Sequence, residues 1–187
     1  MGWRNERERT PSKATPPPPR SREIPGVGRV TTVVIDDPFL VFWQANQAKV
    51  MNVSYEAFLG YIHSPTDSRI CDYFKKRENV AVVAQSDSGD ILGFTCAEPD
   101  SKYAQTAYVA FSAVLPQYQG NGLYHDLRET LDQALREKGF HYKRADIRKA
   151  NDFAEGYERI HQGRVISQRD FYDYMANEPM HEFVVRL

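Results

Sequence analysis

Leu123, Leu127, Leu131 and Leu135 recur at i, i+4, i+8 and i+12, the best helical pattern in the chain. Such spacing predicts an amphipathic helix with one apolar stripe. Immediately before it stands Val114-Leu115-Pro116-Gln117-Tyr118-Gln119-Gly120-Asn121-Gly122, and before that a strand-like run, Ala104–Val114. Glycines in a strand-to-helix turn let the backbone bend tightly and present several amide N–H groups together. The helix dipole adds about half a positive charge at that end. A strand, a glycine-bearing loop and an amphipathic helix in this order therefore predict an anion site suited to a phosphate or diphosphate.

The rest of the chain alternates strands with helices. Arg29–Ile35 is β-branched and strand-like, and Asp36-Asp37-Pro38 is a helix start signal. One helix is expected from there to about Met51, and a second from Asn52 through Phe58, Leu59 and Ile62 to a break at His63-Ser64-Pro65. Ser68–Lys76 predicts a further short helix. Val80–Ala84 and Ile91–Ala97, joined by Ser86-Asp87-Ser88-Gly89-Asp90, predict a hairpin. Lys138-Gly139 ends the leucine helix with a basic last turn and a C′ glycine. A strand near Lys143–Arg148, a helix over Asp152–Gln162 and strands near Val165–Ser167 and His181–Leu187 follow.

Charge divides the chain in two. The net charge of −1 argues against a whole-protein nucleic-acid binder. It is a cancellation: residues 1–27 carry six bases and three acids, and the remainder 18 bases and 22 acids. Residues 1–27 also hold six of the eleven prolines. They are expected to be a basic arm, disordered alone or docked to a protein partner with Trp3 as an anchor, ahead of a domain over residues 28–187. No apolar run approaches the ~20 residues of a membrane span. Cys71 and Cys96 are too few for a disulfide framework and lack a Cys-x-x-Cys pairing, so a soluble, cytoplasmic protein is expected. The five histidines show no metal-ligand spacing, and no metal is expected. The basic cluster Lys143-Arg144 with Arg148-Lys149 reads as a solvated edge within reach of a phosphate.

The loop resembles the signature of the GNAT superfamily of acetyl-CoA-dependent N-acetyltransferases, Gln/Arg-x-x-Gly-x-Gly/Ala after a Val-x-Pro strand exit. Gln119, Gly120, Asn121, Gly122, Leu123 and Tyr124 stand in that region, with Tyr124 where the family has Gly or Ala. The resemblance implies an α/β (α+β) fold with a mixed, mostly antiparallel central sheet of six to seven strands, flanked by helices and splayed between the fourth and fifth strands. It implies that the amides of Gln119 to Tyr124 hold the diphosphate of acetyl-CoA, and that the strand edge from Phe111 to Val114 pairs with the pantetheine arm. Downstream, Asn151, Ala154 and Tyr157 match the family's Asn-x-x-Ala-x-x-Tyr, although His161-Gln162-Gly163-Arg164 replaces the usual Gly-Phe. The family's tyrosine reprotonates the departing thiolate, a role that falls here to Tyr157. Phe153, Tyr157 and Ile160 also share one helix face, so the same ring reads as core packing.

Transfer to an amine needs a base. The run Phe111-Ser112-Ala113-Val114 resembles the histone-acetyltransferase branch, which would place the base at Tyr108. No carboxylate occurs in Ala104–Val114, and Glu98 and Asp100 are the nearest acids by topology. Two readings stay open. One is an N-acetyltransferase that delivers the acetyl group to an amine-bearing acceptor by direct attack. The other is a non-catalytic subunit of the same fold, docked into a large assembly such as a virion through the arm.

Overall fold

The computed structural model describes residues 17–35, 39–58, 67–76, 78–161 and 163–187. Trp3 and most of the expected arm, the start signal at 36–38, and the expected apolar positions and break over 59–65 lie outside them.

The chain runs β1 (Arg20–Ile24), β2 (Gly28–Val34), α1 (Phe39–Ala57), α2 (Asp67–Lys75), β3 (Val80–Ser86), β4 (Ile91–Pro99), β5 (Thr106–Val114), α3 (Leu123–Glu137), β6 (Tyr142–Arg148), α4 (Asp152–His161), β7 (Val165–Asp173) and β8 (Glu178–Arg186). The strands form one eight-stranded sheet in the order β1-β2-β3-β4-β5-β6-β8-β7. Every neighbouring pair is antiparallel except β5 and β6, which run parallel and pair only from Thr106↔Tyr142 to Tyr108↔Arg144. Beyond Tyr108 they part. This is the expected splay, displaced by one in the count because β1 precedes the strands anticipated from sequence.

β1 comes from the last part of the expected arm. Residues 20–24 pair with β2 from Arg20↔Thr32 to Ile24↔Gly28, and Ile24 is buried in the core. The helices expected on either side of Met51 are one helix. Val50, Met51, Val53 and Ser54 are all buried, and this packing overrides the weak helix preference of Asn52-Val53-Ser54. Strand β7 extends six residues past the expected Ser167, through Gln168, Arg169 and Asp170. It lies at the sheet edge with those side chains exposed, so its sequence carries no apolar alternation to reveal it.

The two faces of the sheet are covered differently. Phe74 of α2 packs against Phe94 of β4 (ring centroids 6.0 Å) and Trp43 of α1 (5.3 Å). Leu127 of α3 lies over the neighbouring residue, Gly93. Successive strand residues point to opposite faces, so α1 and α2 cover one face and α3 the other. The four leucines of α3 are all buried, as their spacing predicts. Buried apolar residues form two clusters. The larger spans β1–β5 with α1–α3, and a smaller one joins β6 and β8 to α4 through Ala145, Ile147, Ala154, Tyr157, Phe183 and Val185. Among the described residues no helix is long and apolar enough to cross a membrane.

Candidate active site

Where β5 and β6 separate, a cavity of about 220 Å³ opens through the sheet. Its walls include Val109 and Phe111 of β5, Asp146 of β6, Tyr124 of α3, and Asn151 and Tyr157 of the α4 region. A bulge marks the same place on β5: Cys96 faces Phe111 and Ala97 faces Val109, so Ala110 has no residue opposite it in β4. An unpaired bulge residue re-aims the backbone locally. Here that happens at the cavity wall.

The glycine-bearing loop, which leads into α3 and the cavity-lining Tyr124, has the expected form. Leu115 closes the end of β5 by donating its N–H to the carbonyl of Leu92 (2.9 Å), and Pro116–Tyr118 make a 3-10 turn. Gly120 and Gly122 hold φ of +77° and +80°, conformations that favour glycine. A Cβ on Gly120 would meet nothing within 4 Å, so a ligand can approach the backbone there. Gly122 is the N-cap of α3 and no side chain caps that end. The first amides of the helix therefore lack intrahelical acceptors. Gln119 turns its side-chain amide back to the carbonyl of Val114 (3.1 Å), and Asn121 donates to the carbonyls of Gln119 (3.3 Å) and Tyr118 (3.4 Å). The loop thus presents backbone rather than side chains. Leu123 and Val114 are core residues.

One side chain reaches the loop from far away in sequence. Arg22 of β1 forks onto Asp126 in the first turn of α3, with Nε to Oδ2 at 2.6 Å and Nη2 to Oδ1 at 3.0 Å. Its Nη1 donates to the carbonyl of Asn121 (3.0 Å). The guanidinium lies so close over Gly122 that a Cβ there would stand 2.4 Å from Nη1. Burial works against ionisation of Asp126, but the hydrogen bonds and charge of Arg22, with help from His125, hold its pKa below the ordinary value.

Tyr124, the departure from the family pattern, turns into the cavity and packs edge-on against Phe153 (5.0 Å, 81°). Tyr157 is buried between Phe183 (4.7 Å) and His161 (4.3 Å) while also lining the cavity. Its packing and its cavity position coexist. Burial, reinforced by Tyr124 and Asp132, raises the Tyr157 phenol well above its ordinary pKa. Asn151 caps α4 by accepting the N–H of Phe153 at Oδ1 (3.0 Å).

Glu98 and Tyr108 face each other across β4 and β5, but neither is part of the cavity wall. Glu98 accepts the Tyr73 hydroxyl (3.0 Å) and lines a separate hollow beside α2. The ring of Tyr108 lies under the Arg144 guanidinium at 4.2 Å. Asp100 is likewise engaged, at 2.5 Å from Arg144 Nε.

Of the expected solvated edge, Lys149 is exposed and Arg148 partly so, but Lys143 is buried. Lys143 is 2% exposed and its Nζ lies 2.5 Å from Asp132, which is wholly buried and also holds Arg164 at 3.2 Å. Burial lowers the Lys143 ammonium against the opposing pull of Asp132, to about 8. Arg144 is half-buried between Asp100 and Asp146. The composition of Lys143-Arg144 resembles a surface patch, yet strand alternation sends the two side chains to opposite covered faces.

Asp146 is the acid that motif reading passed over. It follows the splay point by two residues, on the face opposite Ala145 and Ile147, which pack toward α4. Its Oδ2 accepts Arg144 Nη1 at 2.5 Å, while Oδ1 is buried with no hydrogen-bond partner among the described residues. Burial raises its pKa, with Glu182 and Asp100 adding to the effect against Arg144. The signal in the sequence is alternation alone: in Tyr142-Lys143-Arg144-Ala145-Asp146-Ile147, Asp146 is the one acid on the strand after the loop helix. Asp146 and Tyr157 thus approach one cavity from opposite sides of the sheet.

Sheet, splay and loop together define the class of transferase that the loop motif resembles. The chain belongs to the acetyltransferase (GNAT) family, whose model its residues 48–160 match. A search of curated sequences found no match. Solved structures are similar in fold. The ribosomal-protein-S18-alanine N-acetyltransferase of Escherichia coli superposes with a TM-score of 0.62 at 13% identity, covering 83% of this chain and 93% of that one. The GNAT domain of S. lividans PAT gives 0.63 at 13% identity, over 90% and 97%. The yncA protein of Salmonella typhimurium, solved with its cofactor acetyl-CoA, gives 0.60 at 16% identity, over 83% and 94%.

Proposed function

We propose that this chain transfers the acetyl group of acetyl-CoA to an amine by direct attack, using the cavity between β5 and β6. The observation that carries the reading is the convergence of Asp146, Tyr157 and the bulged backbone at Ala110 on one cavity, which Tyr124, just past the glycine-bearing loop, also lines. Acetyl-CoA supplies the activated thioester. The amides of Gln119 to Tyr124 hold its diphosphate, and the edge of β5 from Phe111 to Val114 orients the pantetheine arm. Asp146 takes a proton from the attacking amine at Oδ1, and burial, which raises its pKa, makes it a stronger base than an ordinary carboxylate. Tyr157, on the far side, hands a proton to the departing thiolate. Burial keeps the phenol neutral and so able to donate, but it also makes transfer to a thiolate of pKa near 8.5 uphill. The hydroxyl must therefore be held close to the sulfur as the C–S bond breaks. Most of the acceleration then comes from holding the partners in line and from backbone dipoles aimed at the carbonyl. The free thiols Cys71 and Cys96 suit a reducing compartment such as the cytoplasm.

Saturating acetyl-CoA, at a hundred times its Kd, should stabilise the fold by ~2.7 kcal/mol. At ~2–4 °C per kcal/mol this is a melting shift of roughly 5–11 °C. An unmoved melting curve would defeat the reading. Thiol release measured against a panel of amines separates turnover from binding, and binding without turnover on any amine would favour a non-catalytic subunit. Asp146→Asn should lower kcat/KM by about 100-fold or more. In the unsubstituted enzyme the rate should rise with pH through an apparent pKa above the ordinary carboxylate value, because the ionised form is the active one. An unchanged rate in Asp146→Asn would remove Asp146 from the mechanism.

A further inference from the structure

We propose that Arg22, from strand β1, is a positioning residue of the diphosphate site, which it makes fit for an anion by cancelling the charge of Asp126. The inference rests on the acetyl-CoA reading above. Asp126 stands in the first turn of α3, four residues after the N-cap Gly122. A carboxylate is favourable beside the bare amides of an empty helix end. The same carboxylate repels a diphosphate seated on those amides. Arg22 resolves the conflict with a two-point fork onto both oxygens of Asp126, the geometry at which guanidinium is strongest. Its third contact, to the carbonyl of Asn121, pins the loop between Gly120 and Gly122 from outside. The fit is tight: at Gly122 even a methyl group would collide with the guanidinium. The Arg22 side chain nevertheless remains 37% exposed. Guanidinium has five N–H donors and these contacts engage three, so the group keeps an accessible edge next to the anion loop. The hairpin formed by β1 and β2 is therefore part of the cofactor site, although its sequence is a basic, proline-flanked stretch far from the motif.

The test is calorimetric titration of the full chain with acetyl-CoA and, separately, with S-acetylpantetheine, which lacks the diphosphate. Arg22→Ala should weaken acetyl-CoA by ~10-fold or more, the usual scale for losing a charge-assisted contact. S-acetylpantetheine binding should change by less than about twofold, since it does not reach the loop. Adding Asp126→Asn to Arg22→Ala should return acetyl-CoA affinity to within about threefold of the starting protein, because the uncompensated carboxylate is then gone. Arg22→Gln keeps the side-chain stem and takes the place of Arg22→Ala if that variant does not fold. Equal losses for both ligands, or no rescue by Asp126→Asn, would make Arg22 a purely structural strut and overturn the proposal. Unchanged acetyl-CoA affinity in Arg22→Ala would overturn it as well. Failure of the unsubstituted protein to bind acetyl-CoA is a separate result, which would remove the underlying reading and this proposal with it.

Discussion

His161 ends α4 wholly buried, with its ring 4.3 Å from Tyr157 and its Nε2 lacking a hydrogen-bond partner among the described residues. Burial, together with the charges of Lys143, Arg128 and Arg164, lowers its pKa to about 2. In the unfolded chain the same ring titrates near 6.5. Between those values the unfolded state binds the extra proton, so stability falls as pH drops below about 6.5, by up to ~1.4 kcal/mol per pH unit. Urea melts at pH 7, 6 and 5 should show a shallower decline for His161→Phe than for the unsubstituted chain. Single residues were legible from sequence where a local motif names them. Gln119–Gly122 form the loop ahead of α3, and Tyr124, Asn151 and Tyr157 line the cavity. Arg22 and Asp126 lie 104 positions apart, and no local pattern announces their pairing. Asp146 escaped because its place on the cavity wall comes from the parting of β5 and β6, a property of the sheet and not of its neighbours in the chain.

Helix α3 owes its position to a matching gap in the sheet. A Cβ on Gly93 of β4 would lie 2.8 Å from the Ala113 carbonyl and 3.1 Å from both Leu127 Cδ1 and Val114 Cγ2. Backbone cannot yield there without disturbing the end of β5, from which the glycine-bearing loop departs. Gly93→Ala should therefore destabilise the fold by ~1–3 kcal/mol, as overpacking does. The same variant should disturb acetyl-CoA binding, and chemical denaturation with calorimetry would read both effects. Elements with a buried face were readable from periodicity: the α3 leucines, the β3–β4 hairpin and β6 stand close to where the pattern put them. Elements that depend on neighbours were not. Strand β7 shows no apolar face because it borders solvent, and β1 shows none because a five-residue edge strand carries one buried side chain, Ile24.

At the scale of the whole molecule the sheet is two half-sheets joined at one seam. Between β5 and β6 only three residue pairs are in register, and each half has its own apolar cluster. Apolar contact across the seam includes Val109 and the Tyr124–Phe153 pair, and buried polar contacts add to it. Asp132 of α3 holds Lys143 and Arg164, Asp100 holds Arg144, and Glu182 receives Lys102 and Tyr103 at 2.5 and 3.0 Å. Removing one partner of such a buried set leaves charge uncompensated, so Asp132→Ala should cost ~3–5 kcal/mol. Hydrogen exchange in that variant should report early opening of β6, β7 and β8 as a block. Retention of full protection there would show the halves to be held by apolar packing alone. A molecule sewn along so short a seam is also one that can be unpicked and resewn. The turn after Lys138 is the natural place to sever the chain into two pieces, each with its own apolar nucleus. Because the thioester would lie between them, its arrival could report reassembly, which makes this architecture a ready template for a split sensor.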